Sequence, residues 1–333
     1  MSMPAKTMSE TAPAAVPAAL SRTQPFYWSV RRELWENHSL YIAPLAVAGL
    51  LLFGFVISLF QLADHAKEIR ETLTPDSIAA AIVLPYDIAA VAIIVVSVIV
   101  GFFYCLGALY GERRDRSILF WKSLPVSNVT TVLSKAFIPL VALPVIVFGT
   151  IVVLQLIMLL LNSAGRLAIG SSLPELWAHV PLIQMSIVLL YGLVTLALWH
   201  APIYAWLILV SAWARKTPIL WAVLPPLALI VVERIAFGTD YAGRLIGYRL
   251  GGGLDAAFST PRYLPMRALH QHAAQNHAVH GTHHGMTQGI PSFGLEQIDL
   301  AGFLSTPGLW AGLIVAAAFL AVAVWVRRTR EAI

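Results

Sequence analysis

The chain has 333 residues, of which 58% are hydrophobic and 12% charged, with a formal net charge of +5. A single soluble core cannot hide that much apolar surface, so the composition predicts a protein whose main solvent is the lipid bilayer. The basic residues lie in short runs between apolar stretches, which is typical of membrane topology, and we expect no nucleic acid partner. Cys105 is the only cysteine, which excludes an intrachain disulfide and a cysteine-based zinc site.

The first predicted elements precede the membrane domain. Residues 1–24 are rich in Ala, Pro, Ser and Thr, and their prolines interrupt any signal-peptide core, so we predict a disordered cytoplasmic tail. Residues 25–38 combine aromatic and basic side chains with an apolar helical face, which predicts an interfacial elbow helix along the membrane. Its aromatic rings suit the headgroup zone and its arginines suit anionic lipid. These residues are Tyr27, Trp28, Arg31, Arg32 and Trp35.

Six apolar stretches follow, each near the roughly 20 residues that a helix needs to cross the bilayer. We therefore predict an all-α integral membrane protein with six transmembrane helices in residues 39–326. The fourth stretch is too long for a simple crossing, and we interpret it as one long helix kinked at Pro202. The predicted spans are 40–62, 87–110, 132–161, 181–213, 218–235 and 307–326.

The charge distribution predicts the orientation of these spans. With six spans and the N-terminus inside, most of the 22 Lys and Arg residues lie on the side of the termini, whereas most of the 17 Asp and Glu residues lie on the opposite side. Positive charge is retained in the cytoplasm. Both termini are therefore predicted to be cytoplasmic, including the C-terminal tail 327–333.

A charged and then aromatic segment follows the second span. Residues 111–127 read Gly-Glu-Arg-Arg-Asp-Arg-Ser-Ile-Leu-Phe-Trp-Lys-Ser-Leu-Pro-Val-Ser. The pattern predicts a short helix that Pro125 ends, with Phe120, Trp121 and Leu124 presenting a bulky surface. An exposed aromatic surface of this kind predicts a protein partner.

This segment resembles the first cytoplasmic loop of type-2 ABC exporter permeases. The elbow helix, the run Ser-Ala-Trp-Ala-Arg-Lys at 211–216 and the run Arg-Arg-Thr-Arg at 327–330 extend the resemblance over most of residues 25–330. The family implies that the segment contains the coupling helix, which sits in a cleft of the ATPase subunit and transmits its movement to the spans. The residues to which it gives this role are Glu112, Arg113, Arg114, Asp115, Ser117, Phe120, Trp121, Lys122, Leu124 and Pro125.

The same resemblance implies the partners and the location. It implies a complex of two ATPase subunits with two permease chains, either identical copies or paralogues, in the bacterial cytoplasmic (inner) membrane. The chain has no Gly-x-x-x-x-Gly-Lys-Ser/Thr motif, so it lacks the loop that cradles nucleotide phosphates. We expect a non-catalytic subunit without a cofactor of its own, with ATP and Mg²⁺ bound by the partner.

A long external loop, residues 236–306, separates spans five and six and contains six histidines. His277, His280 and His284 would align on a helix and form a candidate divalent metal site. Two glycines weaken a helix there, and no cysteine or nearby carboxylate completes the ligand set. The loop's glycine-rich part, 247–255, indicates a turn or an amphipathic re-entry rather than a phosphate loop.

Two other classes of protein remain open at this point. A secondary transporter or channel would carry charged pairs or broken helices near the membrane centre, whereas the predicted spans are almost free of charge there. A metal-binding membrane protein or membrane enzyme would depend on the external histidines. The polar groups of Cys105, Gln155 and His200 within spans are most simply interpreted as interhelical hydrogen-bonding groups.

Overall fold

The structure is a computed structural model of the whole chain. It describes residues 24–72, 75–115, 127–168, 173–259, 262–263, 291–292 and 294–329. The N-terminal tail before residue 24 and the last four residues lie outside these ranges, so the predictions made for them stay predictions.

The described residues are almost entirely helical. Their β-structure consists of an antiparallel pair of two-residue strands, β1 (Arg262–Tyr263) and β2 (Pro291–Ser292), and an isolated bridge between Phe258 and Ile298. The first helices are α1 (Gln24–Glu36), α2 (Ser39–Thr72), α3 (Pro75–Gly107), α4 (Tyr110–Arg114) and α5 (Asn128–Phe137). A π-helical turn (Ile138–Ala142) joins α5 to α6 (Leu143–Ala168). The chain continues through α7 (Leu173–His179), α8 (Leu182–Trp213), α9 (Pro218–Phe237), α10 (Tyr241–Ala257), a 3₁₀ turn (Leu295–Gln297), α11 (Leu300–Ser305) and α12 (Pro307–Thr329).

Six helical stretches are long and apolar enough to cross a membrane. Each coincides with a span predicted from the sequence, so a helical protein with six candidate spans is confirmed, while the membrane side of each terminus stays a prediction. The described spans are Ser39–Phe60, Ile82–Arg114, Asn128–Ala168, Leu176–Trp213, Pro218–Phe237 and Pro307–Thr329.

Prolines lie inside the third and fourth spans, and in the third they accompany a departure from regular α-helix. In the third span, Pro139 lies in the π-helical turn and Pro144 follows it, and proline cannot donate the amide hydrogen bond that a regular turn requires. In the fourth span, Pro202 lies inside a continuous helix of 32 residues. One long helix, rather than two short spans, is therefore confirmed for the fourth stretch, and the kink at Pro202 stays a prediction.

Helices α8 and α12 form the closest pair of spans. Ala201 and Ala205 of α8 pack against Ala316 of α12, and small side chains of this kind let two membrane helices approach each other. By contrast, Ala222 is the only buried residue of α9. The fifth span therefore presents most of its apolar surface outward.

The predicted external loop begins with a helix that packs between spans four and six. Arg249 of α10 lies over the Trp199 ring at 4.8 Å and donates to the Gly308 carbonyl oxygen. The Trp199 indole in turn donates to the Tyr248 carbonyl oxygen at 3.3 Å. Burial lowers the pKa of the Arg249 guanidinium. The glycine-rich part thus forms a packed helix, and residues 277–284 with the candidate metal ligands lie outside the described residues.

Two glycines of α10 should respond oppositely to alanine substitution. A Cβ on Gly253 would lie 2.8 Å from the Trp199 ring, whereas Gly251 has open space. We expect Gly253→Ala to lower the free energy of unfolding by roughly 1–3 kcal/mol through overpacking. Gly251→Ala should raise it by about 0.5–1 kcal/mol through helix propensity. Denaturation of both variants in detergent, followed by helical circular dichroism, measures the difference, and equal shifts would contradict the packing of α10 on Trp199.

Candidate functional site

Five charged side chains from four helices meet in the protein interior at one end of the spans. We call this group the ion network; its members are Arg32 and Glu33 of α1, Glu112 of α4, Lys135 of α5 and Arg327 of α12. Four of these side chains are at most 7% exposed, and Arg32 is 23% exposed. Charged side chains that are this deeply buried are costly unless they are paired with opposite charges.

Lys135 occupies the centre of the ion network. Its ammonium lies 2.7 Å from Glu33 Oε1 and 3.1 Å from Glu112 Oε1, so it joins two carboxylates. The hydroxyl of Tyr104 donates to the other oxygen of Glu33 at 2.9 Å. Glu33 is therefore held by hydrogen bonds on both of its oxygens, although it lies 102 positions from Lys135 in the chain.

Glu112 accepts from three cations. Arg327 Nη1 lies 2.6 Å from its Oε2, while Arg32 Nη2 lies 3.0 Å from its Oε1 on the same side as Lys135. Arg327 also donates through Nε to Asn128 at 3.2 Å. Charge-assisted hydrogen bonds of this kind are among the strongest in proteins. Glu112 thus ties the end of span two to the beginning of span three and the end of span six.

The charges of the ion network are nearly balanced. Its two carboxylates face three cations, and Arg32 also pairs at 3.0 Å with Glu36, whose side chain is half exposed. A buried arrangement with one partner missing would leave an uncompensated charge in a low-dielectric interior. The four helices are therefore held in one arrangement by the requirement that every member keeps its partners.

A break in the second span positions Glu112. Helix α3 ends at Gly107 and α4 begins at Tyr110, so amide groups at the break need acceptors outside the helix. The Ser211 hydroxyl accepts from the amides of Leu109 and Tyr110 at 2.8 and 2.9 Å. This contact fixes the short helix α4 against the end of span four.

Arg113 extends the same connection to the end of α8. Its guanidinium donates to the carbonyl oxygens of Ser211 and Ala214 at 2.8 and 2.6 Å. These carbonyls lie at a helix C-terminus, where cations are favoured. The adjacent residues Glu112 and Arg113 therefore connect span two to spans three, four and six.

The described residues of the predicted coupling segment fall into a buried pair and an exposed pair. Glu112 and Arg113 are buried in contacts between helices, whereas Arg114 and Asp115 are exposed and pair with each other at 3.0 Å. The remaining residues of this set lie in 116–126, outside the described part of the chain: Ser117, Phe120, Trp121, Lys122, Leu124 and Pro125. Ser127 follows this segment, and its hydroxyl accepts a hydrogen bond from the Thr130 amide and caps α5.

Helix α1 directs its two arginines to different sides. Tyr27, Trp28 and Trp35 are exposed, and the Arg31 guanidinium lies over the rings of Trp28 and Trp35 at 5.1 and 4.6 Å. Arg32 instead turns inward to the ion network. Exposed aromatics with an arginine suit a membrane interface, and the interfacial location of α1 stays a prediction.

Sequence reasoning missed Glu33, Lys135 and Arg327 as members of one site. Lys135 carried a signal, because a lone lysine beside an apolar run needs a partner in a membrane protein. Glu33 and Arg327 resembled ordinary charged flanks of spans. Their partners are distant in sequence, and no local spacing pairs them.

Polar groups deeper in the spans form mostly local or interhelical contacts. The His200 ring nitrogens lie 2.8 Å from the Leu196 carbonyl oxygen and 3.3 Å from the Leu250 carbonyl oxygen. Gln155 donates to the Tyr86 carbonyl oxygen at 3.5 Å. Among the described residues, the buried Oδ2 of Asp87 has no hydrogen-bond partner, and neither does Oε1 of Gln155.

Metal ligands do not gather in the described part of the chain, where no group of three or more His, Cys, Asp or Glu residues could hold an ion. Comparisons with protein-family models, curated proteins and solved structures found no match.

Neutralising Glu112 should destabilise the protein far more than neutralising a partly exposed carboxylate. We expect Glu112→Gln to lower the free energy of unfolding by about 3–5 kcal/mol, because Lys135 and Arg327 would lose the charge that compensates them. The control Glu36→Gln, at a half-exposed ion pair, should cost at most about 1 kcal/mol. Chemical denaturation in detergent measures both values. If the two variants lost equally little, the ion network would not be what holds these helices together.

Proposed function

We propose that the chain is the membrane-spanning permease subunit of an ATP-driven ABC exporter, coupled to a separate ATPase subunit. The observation that carries the proposal is the position of the ion network on both sides of segment 116–126. Glu112 lies just before this segment and Lys135 shortly after it, and both belong to the same buried cluster. The segment is the one that resembles the coupling helix of type-2 ABC exporter permeases.

The arrangement suits the transmission of movement from a partner to several spans. A force on segment 116–126 would act at once on α4 and α5, its neighbours in the chain. Ion pairs with Glu112 would carry it to α1 and α12, and Arg113 would carry it to the end of α8. Packed elements with fixed partners move as bodies rather than deform continuously.

A second permease chain is part of the proposal. Within the described part of the chain, Ala222 is the only buried residue of helix α9, and most of its apolar side chains point outward. A membrane helix this free of intrachain packing has its surface available for a second copy or a paralogue as well as for lipid. ATP and Mg²⁺ are assigned to the partner, because the sequence has no phosphate-binding loop.

Truncating Trp121 should weaken ATPase docking and uncouple hydrolysis from transport. Large aromatic side chains dominate interface energetics, so Trp121→Ala should cost on the order of 2 kcal/mol, or about 30-fold in affinity. The matched control is Trp177→Ala, an exposed tryptophan of α7 on the predicted external side. Each variant is co-expressed with a candidate ATPase and purified in detergent, and assembly and substrate-stimulated ATP hydrolysis are measured. Normal assembly and coupling in Trp121→Ala would overturn the assignment of this segment.

A second candidate function is a proton-coupled secondary transporter, which Asp87 favours. Its carboxylate lies in span two, with a buried oxygen that has no partner in the described part of the chain. Ionisable groups inside spans commonly mark proton or ion pathways. Such a protein would transport without any ATPase.

Asp87→Asn separates the two candidates. In liposomes that contain the chain alone, a secondary transporter would show uptake driven by a pH gradient, and Asp87→Asn should abolish it. The permease proposal expects no gradient-driven uptake by either protein and an ATPase-dependent activity that Asp87→Asn leaves within about twofold. Gradient-driven uptake that requires Asp87 would replace the permease proposal with the second candidate.

A further inference from the structure

An apolar groove runs along the surface between the beginning of span three and the second half of span six. Its volume is about 440 Å³, within the range of small-molecule sites. One wall comes from α5, with Val129, Val132 and Leu133, and the other comes from α12. The groove lies at the same end of the spans as the ion network, since α5 also carries Lys135 and α12 also carries Arg327.

The depth of the groove follows from small side chains on one stripe of α12. Ala317 and Ala321 line it, and Leu320 and Val324 extend the same helical face. Where a larger side chain would fill the space between the helices, alanine leaves it open. The groove opens outward, because Leu133 at its edge is 47% exposed.

One end of the groove is cationic and aromatic. Arg328 and Trp325 line this end, and none of the nine lining residues is acidic. Arg328 follows directly on Arg327, whose guanidinium is engaged by Glu112. Arg328 is exposed and lies beside an indole, a combination found where membrane proteins meet lipid headgroups.

We infer that the groove binds one anionic phospholipid of the leaflet at the ion-network end. The acyl chain lies between α5 and α12 against Leu133 and Val324, and the phosphate lies at Arg328. Among the residues that the structure describes, the lining of this apolar groove contains a cation and no carboxylate, so it is complementary to an amphiphile with a negative head. The charge distribution predicts this leaflet to be the cytoplasmic one.

The lipid would bridge two helices that the ion network already joins. Its chain contacts α5 and α12, which carry Lys135 and Arg327, so occupancy adds contacts to the same arrangement of spans. A ligand that binds the folded protein stabilises it according to its concentration and affinity. The groove is formed by this chain alone, so lipid binding there does not depend on the permease proposal.

The test uses the full-length chain and native mass spectrometry with phosphatidylglycerol or phosphatidylcholine. We expect one retained phosphatidylglycerol per chain in preference to phosphatidylcholine. Arg328→Gln should weaken its retention about fivefold, the effect of one basic residue at the lipid surface. Arg215→Gln, at an exposed arginine on the same predicted side, is the matched control and should leave retention unchanged.

A substitution that fills the groove is the second test. Ala321→Phe should displace the lipid, whereas Ala318→Phe, on an exposed position of α12 that does not line the groove, should not. Thermal unfolding of each variant verifies its fold, and Arg328→Gln keeps the inference testable if Ala321→Phe does not fold. Equal retention of both lipids, or retention unchanged by Arg328→Gln, would show a nonspecific surface lipid and overturn the inference. A lipid-free dimer that Ala321→Phe dissociates would assign the groove to a second copy of the chain instead.

Discussion

The architecture depends on the cost of placing charge away from water. Lys135 lies in a helix that continues as a membrane span, and a lone ammonium there would be strongly destabilising. Its contacts with Glu33 and Glu112 compensate this charge, and those carboxylates in turn require Arg32 and Arg327. Because each member needs the others, helices that are distant in sequence are brought to one place.

This constraint gives the helices at one end a specific arrangement that apolar contacts alone would not give them. In a bilayer, lipid tails solvate apolar side chains as well as neighbouring helices do, so burial of Leu or Val gives spans little specificity for each other. Small residues at the contact of α8 with α12 supply close packing. Directional ion pairs and the Ser211 contacts supply the specificity that apolar packing lacks.

Polar contacts also fix the position of helix α10. Its arginine, Arg249, combines a ring contact with Trp199 and a hydrogen bond to the Gly308 carbonyl oxygen. One side chain thereby links span four to the beginning of span six at the opposite end from the ion network. Polar side chains thus hold the spans together near both ends, and apolar packing holds them together in between. Any movement between two packed arrangements of these helices would have to preserve or exchange these contacts.

The class of structure follows from hydrophobic length alone. The bilayer requires that each crossing satisfies its own backbone hydrogen bonds, so apolar length alone predicted six spans, including the long fourth helix. The sequence also marked residues 111–127 as unusual through their charge and aromatic content. It did not indicate that Arg32 turns inward or that Glu112 and Arg113 are buried.

Which charges share a site follows from the tertiary fold alone. Glu33, Lys135 and Arg327 come from three helices. Lys135 stands out in the sequence as a lone lysine beside an apolar run, but Glu33 and Arg327 resemble ordinary flanking charges, and nothing local pairs the three. The glycine-rich part of the predicted external loop likewise does not read as a helix in the sequence. In the fold it is helical, and Gly253 packs against the Trp199 ring. Hydrophobic length is a local property that a sequence displays directly. Partner choice among buried charges depends on distances across the fold, which no local pattern contains.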